Sequence, residues 1–167
     1  AVQPEPAYIF QNLLIQDVAY QTLTSSQRAA IHHMLAEWFE AATTKHPEAA
    51  QALLAYHWEH AGELGKAARC LLAAGDAARA LYALPEAIAD YRRALDLLDP
   101  QADPELAARA SMTLGLTYHL AFDFRLARQA FDQGFELWRQ GDGQPPRDSS
   151  GYAQLAVDWL YMPLTLD

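Results

Sequence analysis

The sequence predicts an all-α protein in which antiparallel helical hairpins stack as an irregular α-solenoid. Three observations predict it. Alanine is abundant and β-branched residues are scarce, so most positions lose little side-chain freedom in a helix. Proline, glycine and short acidic breaks cut the 167 residues into eight segments with helical apolar spacing. Two stretches share one internal spacing: Gly75, Ala87 twelve residues on and Tyr91 four further; then Gly115, Ala127 and Phe131.

The elements follow in order. Residues 1–7 are loose, and Tyr8-Ile9-Phe10 reads as a short strand or a helix entry. A helix over 11–22 carries a stripe of Leu13, Leu14, Val18 and Tyr20. Ser25 or Ser26 is positioned to cap the next, which runs to Ala42 with a stripe of Ala30, Ile31, Met34, Leu35, Trp38 and Phe39. Pro47 suits a first helical turn, opening a helix to Ala61 that Gly62 ends. A longer helix runs from Glu63 or Gly65 to Ala83, and Pro85 starts one to Leu98. Asp103-Pro104 opens a helix to Ala121, and a Phe122-Asp123 turn leads to one ending near Gln140. Residues 141–150 read as a linker, and Tyr152–Leu160 as a last helix. The division is thus a helical junction from a missing upstream domain over 1–42, repeats over 43–140, and a linker with a C-terminal tail or last helix over 141–167.

The residues around Gly115 read Leu114-Gly115-Leu116-Thr117-Tyr118, then Ala127 and Phe131. This resembles the tetratricopeptide repeat, although Ser111 stands at its usual first tryptophan position and its closing proline is missing. Ala78 holds the Tyr118 place in the Gly75 copy, and a fainter echo runs through Leu54-Ala55, Trp58, Ala67 and Leu71. Small residues at Gly75, Gly115, Ala67, Ala87 and Ala127 permit close helix approach, and large ones at Tyr118, Phe131, Tyr91 and Trp58 fill the space beside them. The registers step by 20 and 40 residues, which makes the 63–83 helix second in one pair and first in the next. A hairpin of this kind cannot bury its apolar face alone, so neighbours must stack.

A wider resemblance covers residues 8–98. Tyr8-Ile9-Phe10, Leu13-Leu14-Ile15-Gln16-Asp17-Val18-Ala19-Tyr20, Arg28 and His32 are similar to the junction in large bacterial signalling ATPases, where a winged-helix segment leads into tetratricopeptide repeats. Leu53–Gly62, Lys66-Ala67-Ala68 and Glu86–Leu95 are similar to those repeats. Asn12 departs from the histidine common there. Relatives carry adenylate-cyclase or LuxR-type DNA-binding domains, so the resemblance implies a non-catalytic interaction or scaffold module of a larger cytoplasmic regulator. Its partners would be a protein or peptide segment and the neighbouring domains of the same chain. Met is absent at the start and the end is abrupt, which suggests an excised piece. The tail from Leu155 to Asp167 is similar to the opening of a peptide-type solute-binding domain, which gives the alternative: a peptide or small-ligand sensor attached to a transport protein.

Charge and motifs narrow the function. The net charge of −9 disfavours direct nucleic-acid binding. No signal peptide or membrane-length apolar run is visible, which points to the cytoplasm and away from a membrane. There is no phosphate loop, cyclase motif or nucleophile elbow, so no catalytic residue and no cofactor is expected. Cys70 is the only cysteine and reads as a buried side chain. His57 and His60, three apart on one helix, lack the His-Glu-x-x-His order and a third ligand, so the expectation is no metal, with His57 half-buried and His60 exposed. His32 and His33 are adjacent, point apart, and His32 reads as a packing residue. Asp90, Arg92, Arg93 and Asp96 read as a solvated face. Trp38, Phe39, Trp58, Tyr91, Tyr118, Phe131 and Phe135 read as core. Carried over from the tetratricopeptide register, the concave partner-binding groove would present Tyr56, Glu59 and His60, then Arg69, Leu72, Asp76 and Arg79, then Met112, Leu116, His119 and Leu120.

Overall fold

The computed structural model describes residues 13–42 and 47–140, with the side chains of 14–42 and 50–140. The reading of Tyr8–Phe10, Asn12, the 141–150 linker and the 152–167 tail lies outside the described residues. Seven helices make up the described chain: α1 (Leu13–Thr22), α2 (Ser25–Ala42), α3 (Pro47–His60), α4 (Leu64–Ala80), α5 (Leu84–Leu97), α6 (Pro104–Leu120) and α7 (Phe124–Gln140). From α2 to α7 the helices pack chiefly on their neighbours in sequence within that series. The chain is all-α, with no strand among the described residues.

Local chemistry sets most boundaries. Thr24, rather than Ser25 or Ser26, caps α2: its Oγ1 accepts from the Gln27 amide (3.2 Å) while Gln27 Oε1 accepts from the Thr24 amide (2.9 Å). This reciprocal pair satisfies two amides that the first helical turn leaves unpaired. Asp103 and Asp123 each accept from the amide three residues on, at 3.1 Å, and so start α6 and α7.

Three helix ends share one turn. The amides of Gly62, Tyr82 and Phe122 donate to the carbonyls three residues back, at 3.0 Å each. Those of Glu63, Ala83 and Asp123 donate five residues back, at 2.9 Å each. This is the Schellman cap, and its central residue must be left-handed. Gly62 sits at φ 84°, Tyr82 at 58° and Phe122 at 60°. The turn at Tyr82 ends α4 three residues earlier than the spacing implies, because Leu81-Tyr82-Ala83 carries no local stop signal. Left-handed backbone costs a non-glycine residue about 1–2 kcal/mol. Phe122 is 80% exposed and has little packing to lose. Phe122→Gly is therefore expected to stabilise the chain by about 0.5–1 kcal/mol, after the extra unfolded-state freedom of glycine is subtracted. A rise in the urea midpoint at unchanged slope reports it, and a fall would contradict it.

The small-and-large pairing is built as the spacing implies. A Cβ placed on Gly75 would lie 2.8 Å from the Tyr91 ring, and one on Gly115 would lie 2.8 Å from the Phe131 ring. Both rings are essentially inaccessible to solvent. A third pair was not evident from spacing: a Cβ on Gly134 would lie 2.7 Å from Met112 Cγ. Ser111 is fully buried in the same layer, which leaves no room for the tryptophan usual in tetratricopeptide repeats.

Two apolar clusters result. The smaller joins α2, α3 and α4 through Ala36, Ala50, Leu54, Trp58 and Ala67. The larger runs from Ala55 on α3 to Phe131 on α7. Cys70 is half-buried, not fully buried, and touches both clusters. Burial first, and Glu40 second, push the thiol above its ordinary pKa, so it is a poor nucleophile.

Candidate functional site

The predicted groove residues separate into three groups. Tyr56, His60, Arg69, Asp76 and Leu120 are exposed, and Glu59, Arg79, Leu116 and His119 are half-buried. Leu72 and Met112 are buried in the larger cluster and present nothing to a partner. The reason is shared: α4 and α6 are each flanked by a helix on both sides, so two of their faces are occupied, and Met112 is the side chain that fills the space over Gly134.

Most of the charged members are engaged within the chain. Tyr91 donates its hydroxyl to Asp76 Oδ1 (2.6 Å) and accepts from Arg79 Nε (3.3 Å). Burial first, and the Asp76 bond second, hold that hydroxyl protonated far above the ordinary tyrosine range. Arg69 pairs with Asp103 at 3.3 Å, and Arg93 pairs with Glu59. Arg92, Arg93 and Asp96 are exposed, as the solvated-face reading has them, whereas Asp90 is half-buried, and burial first and Glu86 second raise its pKa. Both bridging pairs link alternate helices, α4 to the cap of α6 and α3 to α5, and both span 34 residues.

The α1–α2 region departs most from expectation. Ile31, Met34, Leu35 and Trp38, read as a core-facing stripe, are exposed, Trp38 by 62%. Leu14, Ile15 and Val18 of α1 are exposed as well. The α2 residues that turn inward are His32 and Ala36. Small Ala36 lets the helix come close to Trp58, which is fully buried. Trp58 donates its indole N–H to Glu40 (3.3 Å) and lies under the Lys66 ammonium, 3.9 Å from the ring centroid. Phe39 and Phe135 are half-buried, whereas Tyr91, Tyr118 and Phe131 are core.

Inward-facing His32 meets two histidines of α3. Its Nδ1 lies 2.9 Å from His57 Nδ1, and its Nε2 lies 2.9 Å from the Tyr20 hydroxyl on α1. The His60 ring lies 4.9 Å from His32 between centroids, and His60 Nδ1 bonds the Tyr56 carbonyl at 2.8 Å. His57 is buried rather than half-buried, and it stacks on Phe39. His33 points away, toward Trp58 and Glu37. His57 and His60 stand out in the sequence, but nothing local announces His32, 25 residues earlier, as their neighbour. Among the described residues no three His, Cys, Asp or Glu side chains are grouped to hold a metal ion.

A cleft of about 350 Å³ opens between α5, α6 and α7. Leu95, Leu114, Tyr118 and Leu126 give it apolar surface, and Arg92, Asp96, Gln129 and Gln133 add polar groups. Leu81, Tyr82 and Phe122 form exposed apolar tips on the α4–α5 and α6–α7 turns, which antiparallel packing puts at the same end of the helices. Among the described residues no helix is long and apolar enough to cross a membrane. No protein-family model matches the chain, and no curated protein or solved structure shows significant similarity to it.

Proposed function

We propose that this chain is a non-catalytic protein-interaction module, an irregular tetratricopeptide-like α-solenoid within a larger bacterial regulatory protein of the cytoplasm. The observation that carries the reading is the recurrence of one hairpin. The left-handed turn residues Gly62, Tyr82 and Phe122 step by the same 20 and 40 residues as Ala55, Gly75 and Gly115, of which the two glycines face Tyr91 and Phe131. The two ion pairs across alternate helices, each 34 residues apart, support a stacked repeat as well.

What the array offers a partner supports binding. Isolated monomers seldom leave broad apolar patches exposed. Here Ile31, Met34, Leu35 and Trp38 face solvent on one helix. We assign them to a neighbouring domain of the same protein, in keeping with the junction that the sequence leads us to expect over residues 1–42. A protein or peptide segment is assigned to the register row of exposed Tyr56, His60, Arg69, Asp76 and Leu120, which mixes aromatic, charged and apolar groups. Affinity capture tests this second assignment. The double variant Arg69→Glu/Leu120→Asp is expected to weaken a partner's binding at least about tenfold, whereas Arg128→Glu, exposed on α7 outside the row, leaves it unchanged. Equal affinities for the wild type and both variants would sink the assignment. The loss of the Arg69–Asp103 pair is no confounder, because both side chains are solvated and such pairs contribute little.

The cleft over Tyr118 favours a second reading, a peptide or small-ligand sensor. Filling it with Gln133→Trp would abolish ligand binding there without disturbing the row.

A further inference from the structure

We propose that the cluster of His32, His57 and His60, with Tyr20, is an acid-sensitive latch that holds α1 and α2 on the rest of the helical array and releases them when its imidazoles take up protons. The geometry comes first. The His32–His57 contact joins two ring nitrogens 2.9 Å apart, which requires one N–H and one lone pair. In the neutral cluster both requirements are met, with the Tyr20 hydroxyl completing His32 at its other nitrogen. A first added proton goes to an outer ring nitrogen, and the contact keeps its single N–H. A second sets N–H against N–H and places two positive charges at that distance. His60 donates through Nδ1 to the Tyr56 carbonyl, and its ring centroid lies 4.9 Å from that of His32, so a charge there adds to the repulsion.

No described group nearby offsets these charges. The groups facing the two buried rings are Tyr20 from α1, Phe39 from α2, and Tyr56 and His60 from α3. The charged groups on the packed elements are occupied or turned away. Glu37 reaches His33, Glu40 accepts from Trp58, Glu59 pairs with Arg93, and Lys66 covers Trp58. Arg28 lies over the Tyr20 ring, and Asp17 and Glu63 are exposed. No described carboxylate pairs with either buried imidazole. Burial first, and the neighbouring histidines second, accordingly lower the pKa of both His32 and His57 below 6.5.

The direction of the effect follows. Between the lowered folded values and 6.5 the undocked state binds more protons than the docked one, so docking strengthens as pH rises. It is complete above the undocked value and is lost as pH falls from about 6.5 through the folded values. The latch is a large share of the interface, since His32 and Ala36 are the two buried residues of α2. The described helices from α4 to α7 share none of it.

Hydrogen exchange on the full chain at pH 7.5 and 5.0, corrected for intrinsic rates, tests the latch. Protection in α2 is expected to fall at least about tenfold, while α6 and α7 change less than twofold. Equal change in all helices, or none, would overturn the proposal. His32→Gln/His57→Gln should abolish the difference between the two pH values, and a variant that retained the fall would also overturn it. Should that variant fail to dock, imidazole titration of the wild type by NMR decides. Midpoints below 6.5 for His32 and His57 support the latch, and midpoints at or above 6.5 refute it.

Discussion

Phe131→Ala is expected to destabilise the chain by about 3–5 kcal/mol, the usual cost of emptying a large aromatic from a close-packed interior. Phe131 is fully buried, and its ring rests where a Cβ on Gly115 would stand at 2.8–3.0 Å from three of its atoms. The partner substitution has a sign that depends on the ring. With Phe131 present, Gly115→Ala forces an overpacked contact costing about 1–3 kcal/mol, which outweighs the roughly 1 kcal/mol that alanine gains over glycine inside a helix. With Phe131→Ala in place the clash is gone, and Gly115→Ala should stabilise α6 by up to about 1 kcal/mol. Urea unfolding of the four proteins in this cycle measures the coupling. Additive effects would mean that the two residues do not form the interlocking pair described here.

Trp58→Ala should cost a similar amount, about 3–5 kcal/mol, but in one part of the molecule. Trp58 anchors the smaller cluster with Ala36, Leu54 and Ala67, and it binds Glu40 and Lys66 as well. Phe131, Tyr91 and the layer between α6 and α7 lie in the larger cluster. The expected result is undocking of α2 while α5 to α7 stay folded, because a stack joined mainly through neighbours loses cooperativity at its weakest interface. Limited proteolysis reads this directly. Cleavage within 13–42 should accelerate by at least about tenfold while 104–140 stays resistant. A single uniform loss of resistance along the chain would show instead that the two clusters unfold as one.

Much of this was legible in the residues, and the physical reasons differ by feature. Helix starts at Pro47 and at Asp103-Pro104 are written locally, because capping needs a few neighbouring backbone groups and one side chain. The pairing of Gly115 with Phe131 could be read from spacing alone: the hairpin is tight, so separation along the chain fixes which residues face each other. The left-handed Tyr82 and Phe122 had no such signal. Their side chains oppose the conformation, and the packing of α4 on α5 and of α6 on α7 imposes it.

The candidate site was read less well, for a related reason. Five of the residues placed by register are exposed, but Leu72 and Met112 carry the same register and are buried. Register gives a face of one helix, and only the neighbours decide whether that face is covered. The chain by itself determined a row of helices, their turns and the small residues that let them approach. Tertiary structure decided which way α2 turned. It carries two faces, and the one with small Ala36 and compact His32 comes close enough to Trp58 and His57 to be buried. The bulkier stripe of Ile31, Met34, Leu35 and Trp38 was left outside, because close approach rewards small residues more than hydrophobicity alone.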